Sequence, residues 1–201
     1  MKLLIATANA HKLIEIRQML AAAGHVAVEV LGLDAFPELP EIPEDEDTFE
    51  GNALAKARFA AARTGLLTLA DDSGLEVDAL GGAPGVRSKR FSPEATAASN
   101  NRLLLTRLDG ATDRRARFVC ALAAVHGGAE AVLRGTCEGA ILTAPRGDGG
   151  FGYDPLFAPD ATPGRAMAEL SAAEKNAISH RGNALAQLDG LLAQVGAALD
   201  G

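Results

Sequence analysis

An apolar run over residues 66–70 leads into three side chains that could do chemistry, Asp71, Asp72 and Ser73, followed by Gly74. The run is typical of a buried strand, and α/β proteins bind ligands where such strands end. Two adjacent carboxylates repel each other unless a cation or a proton offsets their charge. The segment therefore predicts a metal or acid/base site at the end of a strand. An Asx-type turn closed by Ser73 and Gly74 is the alternative.

The two acids of this segment can be told apart by the geometry of a strand. Neighbouring strand residues point to opposite faces of a sheet. If Asp71 and Asp72 are both in strand conformation, only one of them faces the ligand. The other is expected to bond backbone or to orient a partner.

A second acidic group covers residues 44–47, with Glu50 beyond it. A run of this kind is often a solvated loop, or a helix N-terminus where acids offset the helix dipole. With Asp71 and Asp72 in the same sheet, a shared site for a hard cation becomes credible. Mg²⁺ uses one or two carboxylates and completes its shell with water and substrate phosphates.

The segment Thr7-Ala8-Asn9-Ala10-His11-Lys12 connects a predicted strand to a predicted helix. Backbone N–H groups at a helix N-terminus favour anions, and Thr7, Asn9 and Lys12 would add donors around a phosphate. The plainer interpretation is an ordinary loop with a solvated lysine. The glycine-rich phosphate motifs G-x-x-x-x-G-K-[ST] and G-x-G-x-x-G after a strand are both absent.

The glycine-rich segment 149–155 combines a flexible backbone with two aromatic rings and an acid. Glycine allows a backbone to lie close to a ligand. Phe151 and Tyr153 could stack on a planar base, and Asp154 could accept from a base N–H. The alternative is a turn anchored by two buried aromatic side chains.

The segment 174–182 holds Lys175, His180 and Arg181. On one continuous helix, Lys175 and His180 would lie roughly 140° apart. They converge only if the helix breaks near Ser179, which could then cap a second helix with His180 and Arg181 at its N-terminal end. Such an end suits an anion or a base carbonyl, although a single histidine on a helix is more often structural.

The elements that must position these residues follow a β-α-β order at the start of the chain. This order favours a partly parallel sheet with crossover helices. The predicted bounds are strands 2–7 and 26–31 around a helix over 10–23, a loop over 34–47 with Pro37, Pro40 and Pro43, a helix from Asp47 as its cap to 63, and the strand 66–70.

The second half of the chain predicts a helix, a hairpin and a long loop. Ser92-Pro93 fits a helix N-cap followed by proline at the first helical position, with the helix running to 108. Strands over 115–126 and 129–142 join through Gly127-Gly128. Residues 144–165 are predicted as loop, and Ser171 to Glu174 as the capping box of the last helical region.

Composition excludes several classes of protein. Of 201 residues 48% are hydrophobic, and the formal net charge of −7 disfavours long nucleic acid as a partner. No apolar run reaches the roughly 18 residues of a membrane span, so no membrane partner is expected. Two well-separated cysteines do not make a disulfide framework, which favours a cytoplasmic protein with both thiols reduced.

Taken in order, these segments resemble the inosine/xanthosine triphosphate pyrophosphatases, which remove non-standard purine nucleotides. The resemblance spans nearly the whole chain. Its motifs are Thr7-x-Asn9-x-x-Lys12, Thr48-Phe49-x-x-Asn52-Ala53-x-x-Lys56-Ala57, Ala70-Asp71-Asp72-Ser73-Gly74-Leu75, Gly81-Gly82-Ala83-Pro84-Gly85, Gly149-Gly150-Phe151-Gly152-Tyr153-Asp154-Pro155 and Ser179-His180-Arg181-Gly182.

The resemblance implies a mixed α/β fold with an elongated central sheet and flanking helices, in two lobes around a nucleotide-binding cleft. It implies one such domain over 1–201, a homodimer, and hydrolysis of ITP, dITP or XTP to the monophosphate and pyrophosphate with Mg²⁺. Asp72 would be the general base, and Glu44 and Asp72 would bind Mg²⁺. The substrate would be held by Thr7, Ala8, Asn9, Ala10, His11, Lys12, Lys56, Ser73, Phe151, Gly152, Tyr153, Asp154, Lys175, His180 and Arg181.

The chain departs from the family pattern at two positions. Ala8 stands where many relatives have glycine, and Gly51 stands where relatives often have an acid before Asn52. The second departure removes one candidate carboxylate from the metal shell. Two other functions stay open from the sequence: a non-catalytic nucleotide-binding or regulatory protein, and a pyrophosphatase of modified pyrimidine or other nucleotides.

Overall fold

A six-stranded sheet runs through the computed structural model, which describes residues 1–25, 27–40, 42 and 44–199. The strand order is β2-β1-β3-β4-β5-β6. The strands are β1 (Lys2–Ile5), β2 (Glu29–Gly32), β3 (Leu67–Val77), β4 (Arg115–His126), β5 (Ala129–Ile141) and β6 (Phe157–Pro159).

The sheet is mixed. β1 pairs in parallel with both β2 and β3, whereas β5 pairs antiparallel with β6. Within the described residues, six α-helices accompany the strands, namely α1 (Ala10–Ala22), α2 (Phe49–Thr64), α3 (Ala97–Arg107), α4 (Ala172–Ile178), α5 (His180–Leu185) and α6 (Leu188–Gln194). The predicted mixed α/β fold with flanking helices is confirmed.

The chain divides into two compact units, and the prediction of one domain over 1–201 stays a prediction. Unit 1 comprises Met1–Asp72, Cys120–Gly135 and Arg181–Gly201, and unit 2 comprises Ser73–Val119 and Thr136–His180. Each unit has its own hydrophobic core. In unit 1, strand residues such as Leu3, Leu69 and Leu122 pack with Leu188 and Leu192 from α6.

The core of unit 2 is built around aromatic side chains. Phe118 of β4 and Phe157 of β6 lie with their ring centroids 4.6 Å apart. Leu75 and Leu104, both inaccessible to solvent, belong to the same cluster, as does Tyr153. This packing holds the glycine-rich segment around Tyr153 against the sheet.

The prediction that the strand ends at Ala70 is wrong, and so is the alternative of an Asx-type turn. β3 continues through Asp71, Asp72, Ser73 and Gly74 to Val77. Strand conformation persists through the acids because both carboxylates find cationic or amide partners. Beyond them Leu75 and Val77 are buried and Glu76 is not, which restores the alternation of a strand.

Two predicted helix starts are displaced. The N-cap of α2 is Thr48 rather than Asp47, and its Oγ1 accepts from the Gly51 N–H. Thr96 rather than Ser92 caps α3, where it forms a capping box with Ser99. Ser92 instead donates its backbone N–H to Asn100 Oδ1, so its polar groups already have a partner outside a helix cap.

The predicted loop over 144–165 contains a strand that the sequence pattern does not show. β6 has only three residues, too few to display an alternation, and it pairs with Gly139 to Ile141 of β5. The capping box from Ser171 to Glu174 is confirmed. Gly127 and Gly128, both at positive φ, lie between β4 and β5 as predicted.

Val26, where the second predicted strand begins, and Pro43 of the predicted loop lie outside the described residues. Over the ranges that are described, none of the helices combines the length and the apolar character needed to cross a membrane.

Candidate active site

Strand β3 and helix α2 bring the predicted acidic residues of unit 1 together. Asp72 is 7% exposed and receives a hydrogen bond from Asn52 Nδ2 at 3.0 Å. Lys56 lies one turn after Asn52 in α2, so both side chains project from the same helix face. The Lys56 Nζ is 3.5 Å from Asp72 Oδ1.

Glu44 converges on the same lysine from the acidic loop. Its Oε1 lies 2.6 Å from Lys56 Nζ. Two carboxylates that are far apart in the sequence, Glu44 and Asp72, thus meet one ammonium group. The side chains of Lys56 and Asp72 are about nine-tenths buried, whereas that of Glu44 is 35% exposed. The cluster is therefore open to solvent on the side of Glu44.

The environment moves the pKa of Asp72 upwards. Burial raises the pKa of this carboxyl, and the charge of Glu44 adds to the effect, while Lys56, Lys12 and the Asn52 amide act in the opposite direction. The pKa of Lys56 is also raised, because burial is outweighed by the charges of Asp72, Asp71 and Glu44. The lysine is therefore charged at neutral pH.

Asp71 belongs to a different set of contacts. It is fully buried, and its Oδ2 lies 2.8 Å from Lys12 Nζ and 3.1 Å from Arg181 Nη2. Arg181 is 1% exposed and also pairs through Nη1 with Glu15 of α1. Four charged side chains thus form a compact array of two acids and two bases.

The charges of this array hold it ionised. Burial opposes ionisation of Asp71, but Lys12, Arg181 and Lys56 together keep the pKa of this carboxyl far below its ordinary value. Burial likewise opposes the charge of Arg181, and Asp71 and Glu15 raise its pKa in spite of it. Asp71 is thus an ionised counter-ion of Lys12 and Arg181.

The predicted phosphate segment forms the N-terminus of α1. Asn9 is the N-cap, and its Oδ1 accepts from the backbone N–H groups of His11, at 3.0 Å, and Lys12, at 3.4 Å. Thr7 Oγ1 accepts from the Asn9 N–H. Ala8 and Ala10 are exposed, and so is His11. The Lys12 side chain joins the cluster at Asp71.

In unit 2, Asp154 organises the glycine-rich segment. Its Oδ2 accepts from the Phe151 N–H and from Lys175 Nζ, both at 2.8 Å. The ammonium of Lys175 also lies 4.6 Å from the centroid of the Phe151 ring. Gly150 is required here: it has φ of 70°, and a Cβ atom would lie 2.1 Å from Asp154 Oδ2.

The other predicted base-binding residues of unit 2 occupy varied environments. Tyr153 is 5% exposed and donates its hydroxyl to the Ser88 carbonyl oxygen, which is the geometry of an anchor. Gly152 accepts from Asn101 through its carbonyl oxygen. His180 is 6% exposed, and its ring stacks on Phe118 at 5.0 Å. Ser73 lies in β3 and is partly exposed.

The helix breaks at Ser179, which is the condition that the sequence set for Lys175 and His180 to converge. α4 ends at Ile178, Ser179 is extended with φ of −69° and ψ of 156°, and α5 begins at His180. Lys175 therefore lies on α4 and His180 on α5.

Glu44 and Asp72 supply the oxygen donors that a magnesium ion prefers. Within the ranges that the structure covers, no group of three or more His, Cys, Asp or Glu side chains could hold a metal ion. A two-carboxylate set nevertheless fits Mg²⁺, which takes the rest of its shell from water and phosphates. The convergence of both carboxylates on Lys56 Nζ shows that this point already accommodates a positive charge.

Sequence reasoning left two residues of these clusters without a role. Asn52 belongs to the motif that begins at Thr48 and lies four residues before Lys56. This spacing on a helix indicated that the two side chains share a face. Glu15 lies three residues after Lys12 on α1, which also places it on the same helix face. Its pairing with Arg181, which is 166 residues away, has no signal in the sequence.

Comparison with known proteins places the chain in a family. The model of the Ham1 family matches residues 3–190. The dITP/XTP pyrophosphatase of Mycobacterium tuberculosis strain H37Rv is 53% identical over 190 residues, which are 93% of each chain.

Solved structures agree. A HAM1 protein from Coxiella burnetii has a TM-score of 0.83 at 41% identity, covering 96% of this chain and 98% of that one. A nucleoside-triphosphatase / dITP/XTP pyrophosphatase from Mycobacterium abscessus has a TM-score of 0.75 at 47% identity, covering 94% and 97%. The chain, matched over nearly its whole length, belongs to the Ham1 family.

Proposed function

We propose that this chain hydrolyses non-canonical purine nucleoside triphosphates (dITP, ITP and XTP) to the monophosphate and pyrophosphate, which cleanses the nucleotide pool. The observation that carries the proposal is the meeting of Asp72 and Glu44 at Lys56, in a chain whose relatives over 93% of its length are named dITP/XTP pyrophosphatase.

Asp72 is the proposed general base. Burial raises its pKa, and a carboxylate with a raised pKa is a stronger base towards water. The hydrogen bond from Asn52 fixes one of its oxygens, leaving the group in a defined orientation. A side chain held in this way can take a proton from a water molecule without first reorganising.

The proposed cofactor is Mg²⁺, with Glu44 and Asp72 as the protein ligands. When bound, the ion would neutralise charge on phosphate oxygens and lower the pKa of a coordinated water. Lys56, which both carboxylates contact, adds a positive charge at the same place. Hydrolysis of a phosphoanhydride depends mainly on such charge neutralisation and on an oriented water.

The proposed phosphate-binding residues of unit 1 lie at the N-terminus of α1. Thr7, Asn9 and Lys12 would contribute donors there, together with the backbone of Ala8, Ala10 and His11. Asp71 holds the Lys12 ammonium at 2.8 Å, so the lysine presents its charge from a fixed position. An anion at this helix end also benefits from the helix dipole.

Recognition of the base is proposed for Phe151, Gly152, Tyr153, Asp154, Lys175, His180 and Arg181, with Ser73 as a further substrate contact. Their support is the resemblance and the linked geometry of Phe151, Asp154 and Lys175. A donor from His180 or Arg181 towards a 6-keto oxygen would favour hypoxanthine. The 6-amino group of adenine would leave that donor unpaired, at a cost of about 1–3 kcal/mol.

A cytoplasmic location and a homodimer complete the proposal. The location rests on the sequence, in which two well-separated cysteines, Cys120 and Cys137, make no disulfide framework. The homodimer rests on the resemblance alone. Light scattering on the purified protein measures its mass against the 20.6 kDa of one chain.

The experiment is pyrophosphate release from dITP, XTP, dGTP and dATP, with Mg²⁺ and with a chelator as control. We expect kcat/KM for dITP and XTP to exceed that for dATP by about 10-fold or more, which matches the penalty above. Absence of turnover with every triphosphate would favour the non-catalytic nucleotide-binding protein. Equal rates on dATP and dITP would exclude selectivity for 6-oxo purines.

A further inference from the structure

Asn52 links Asp72, one carboxylate of the proposed metal site, to the backbone of the loop that carries the other, Glu44. Its Nδ2 donates to Asp72 Oδ2 at 3.0 Å. Its Oδ1 accepts from the Glu46 N–H at 3.1 Å, and its Nδ2 lies 3.4 Å from the Glu46 carbonyl oxygen. Glu46 stands two residues after Glu44, so the amide fastens the backbone of the acidic loop to the side chain of Asp72.

The environment of Asn52 makes this link rigid. The residue is 1% exposed and lies in the first turn of α2, four residues after the N-cap Thr48. A buried amide with its donors and acceptor engaged has little freedom to rotate, because any other orientation leaves polar groups unsatisfied. The loop therefore cannot move away from Asp72 without breaking hydrogen bonds.

Gly51 allows the loop to lie this close to the helix. A Cβ atom at position 51 would lie 2.9 Å from Glu46 Cβ and 3.0 Å from Thr48 Oγ1. The loop thus packs on α2 in the space that the side chain of any other residue at position 51 would fill. Gly51, where the chain departs from the family pattern, and the hydrogen bonds of Asn52 thus both hold the loop at Glu46 against the start of α2.

We propose that Asn52 is a positioning residue for metal binding: its amide fixes the distance between the Glu44 and Asp72 carboxylates. The inference rests on the proposed function, in which these two residues hold the cation. Lys56 alone does not explain the arrangement. An ammonium group attracts both carboxylates without directing them, whereas the amide defines which oxygen of Asp72 stays available.

The test compares Asn52→Ala and Asn52→Leu with Asn100→Ala. Asn100 is a matched control because its buried amide clamps another loop, through Ser92 and the Lys89 carbonyl oxygen, in unit 2. Two quantities are measured: the Mg²⁺ concentration that gives half-maximal pyrophosphate release from dITP, and Mn²⁺ binding by electron paramagnetic resonance to protein loaded with a non-hydrolysable imido analogue of dITP. Thermal unfolding is recorded for every variant.

For both Asn52 variants we expect the half-saturating Mg²⁺ concentration and the Mn²⁺ dissociation constant to rise by about 10-fold, as for other residues that orient metal ligands. Saturating Mg²⁺ should restore most of kcat, with the KM for dITP unchanged. Asn100→Ala should lower the unfolding temperature without altering either metal constant.

Unchanged metal constants in the Asn52 variants, or the same change in Asn100→Ala, would overturn the inference. So would unfolding of both Asn52 variants at the assay temperature while Asn100→Ala stays folded, because the role would then be structural. The proposed function is judged separately, by turnover of the wild-type protein. If the wild-type protein binds Mn²⁺ without turnover, a rise of the Mn²⁺ dissociation constant in the Asn52 variants supports the inference and an unchanged constant overturns it.

Discussion

Asp71 and Asp72 are consecutive residues of one strand with opposite environments. Asp71 is fully buried between Lys12 and Arg181, and its pKa is far below the ordinary value. Asp72 contacts Asn52 and Lys56, and burial raises its pKa. The difference shows how a protein assigns separate roles to two identical side chains. Cations lower the pKa of Asp71 and hold it ionised, whereas burial raises the pKa of Asp72, the residue proposed to bind the metal and accept a proton.

The largest effect is expected from Asp72→Asn. The amide can neither accept a proton from water nor bind Mg²⁺ as a carboxylate does, so kcat for dITP should fall by about 10³-fold or more. The unfolding temperature should change little, because burial already disfavours the charge of Asp72. Pyrophosphate release and thermal unfolding measure the two quantities. Activity near that of the wild type would show that another residue is the base.

Asp71→Asn should act mainly on stability. It leaves Lys12 and Arg181 without their shared counter-ion, and removing one member of a buried ion cluster costs about 3 kcal/mol or more. Urea unfolding measures the loss. The exposed pair of Lys2 and Glu29, 3.9 Å apart, is the control. Lys2→Ala should cost less than about 1 kcal/mol. Equal losses in the two variants would contradict the role assigned to Asp71.

The two carboxylates should also titrate in opposite directions from the ordinary aspartate pKa of about 3.9. Carbon-13 NMR of the metal-free protein should give a midpoint above that value for Asp72 and below it for Asp71. Because the folded pKa of Asp71 is lowered, its stabilisation is complete above the unfolded value and is lost as the pH falls towards the folded one.

In the wild-type protein, the free energy of unfolding should therefore fall as the pH is lowered. In Asp71→Asn, this decrease should be smaller. If the titration midpoints of Asp71 and Asp72 both lay above or both lay below the ordinary aspartate pKa, the contacts of these side chains would not be what sets their pKa values.

The smallest effect is expected at the cap of α2, on the Asp72 side of β3. Thr48→Ala removes the oxygen that accepts from the Gly51 N–H, and such a cap contributes about 1 kcal/mol. Thr96→Ala, which removes the corresponding cap of α3, is the matched control. Urea unfolding should give similar losses for both. A loss as large as that of Asp71→Asn would mean that α2 depends on its cap more than on its packing.

Much of the fold could be predicted from local patterns. The β-α-β opening, the hairpin at Gly127-Gly128 and the capping box at Ser171 all depend on residues close in the sequence. The end of β3 was missed because charged residues in a strand are stable only when distant partners satisfy them. β6 was missed because a three-residue strand has no visible period.

The candidate site could be predicted in part. Asp72, Glu44 and Lys56 were named from their types and the resemblance, and the structure brings these three together. The hydrogen bonds that Asn52 makes to Glu46 and Asp72 were not predicted. The only local signal was that Asn52 lies four residues before Lys56 on the same helix. Arg181 was predicted as a substrate contact, and that role stays a prediction beside its observed pairing with Asp71.

The sequence by itself determined that Asp71 and Asp72 point to opposite faces wherever both are in a strand, because alternation is a local property of the extended backbone. It also carried the motifs of the family. Only the tertiary structure decided that the strand continues through both acids and which partners each carboxylate meets. The partners come from α1, α2 and the start of α5, up to 110 residues away along the chain. Their positions follow from how the helices pack on the sheet, and burial among those partners sets the charge of each carboxylate.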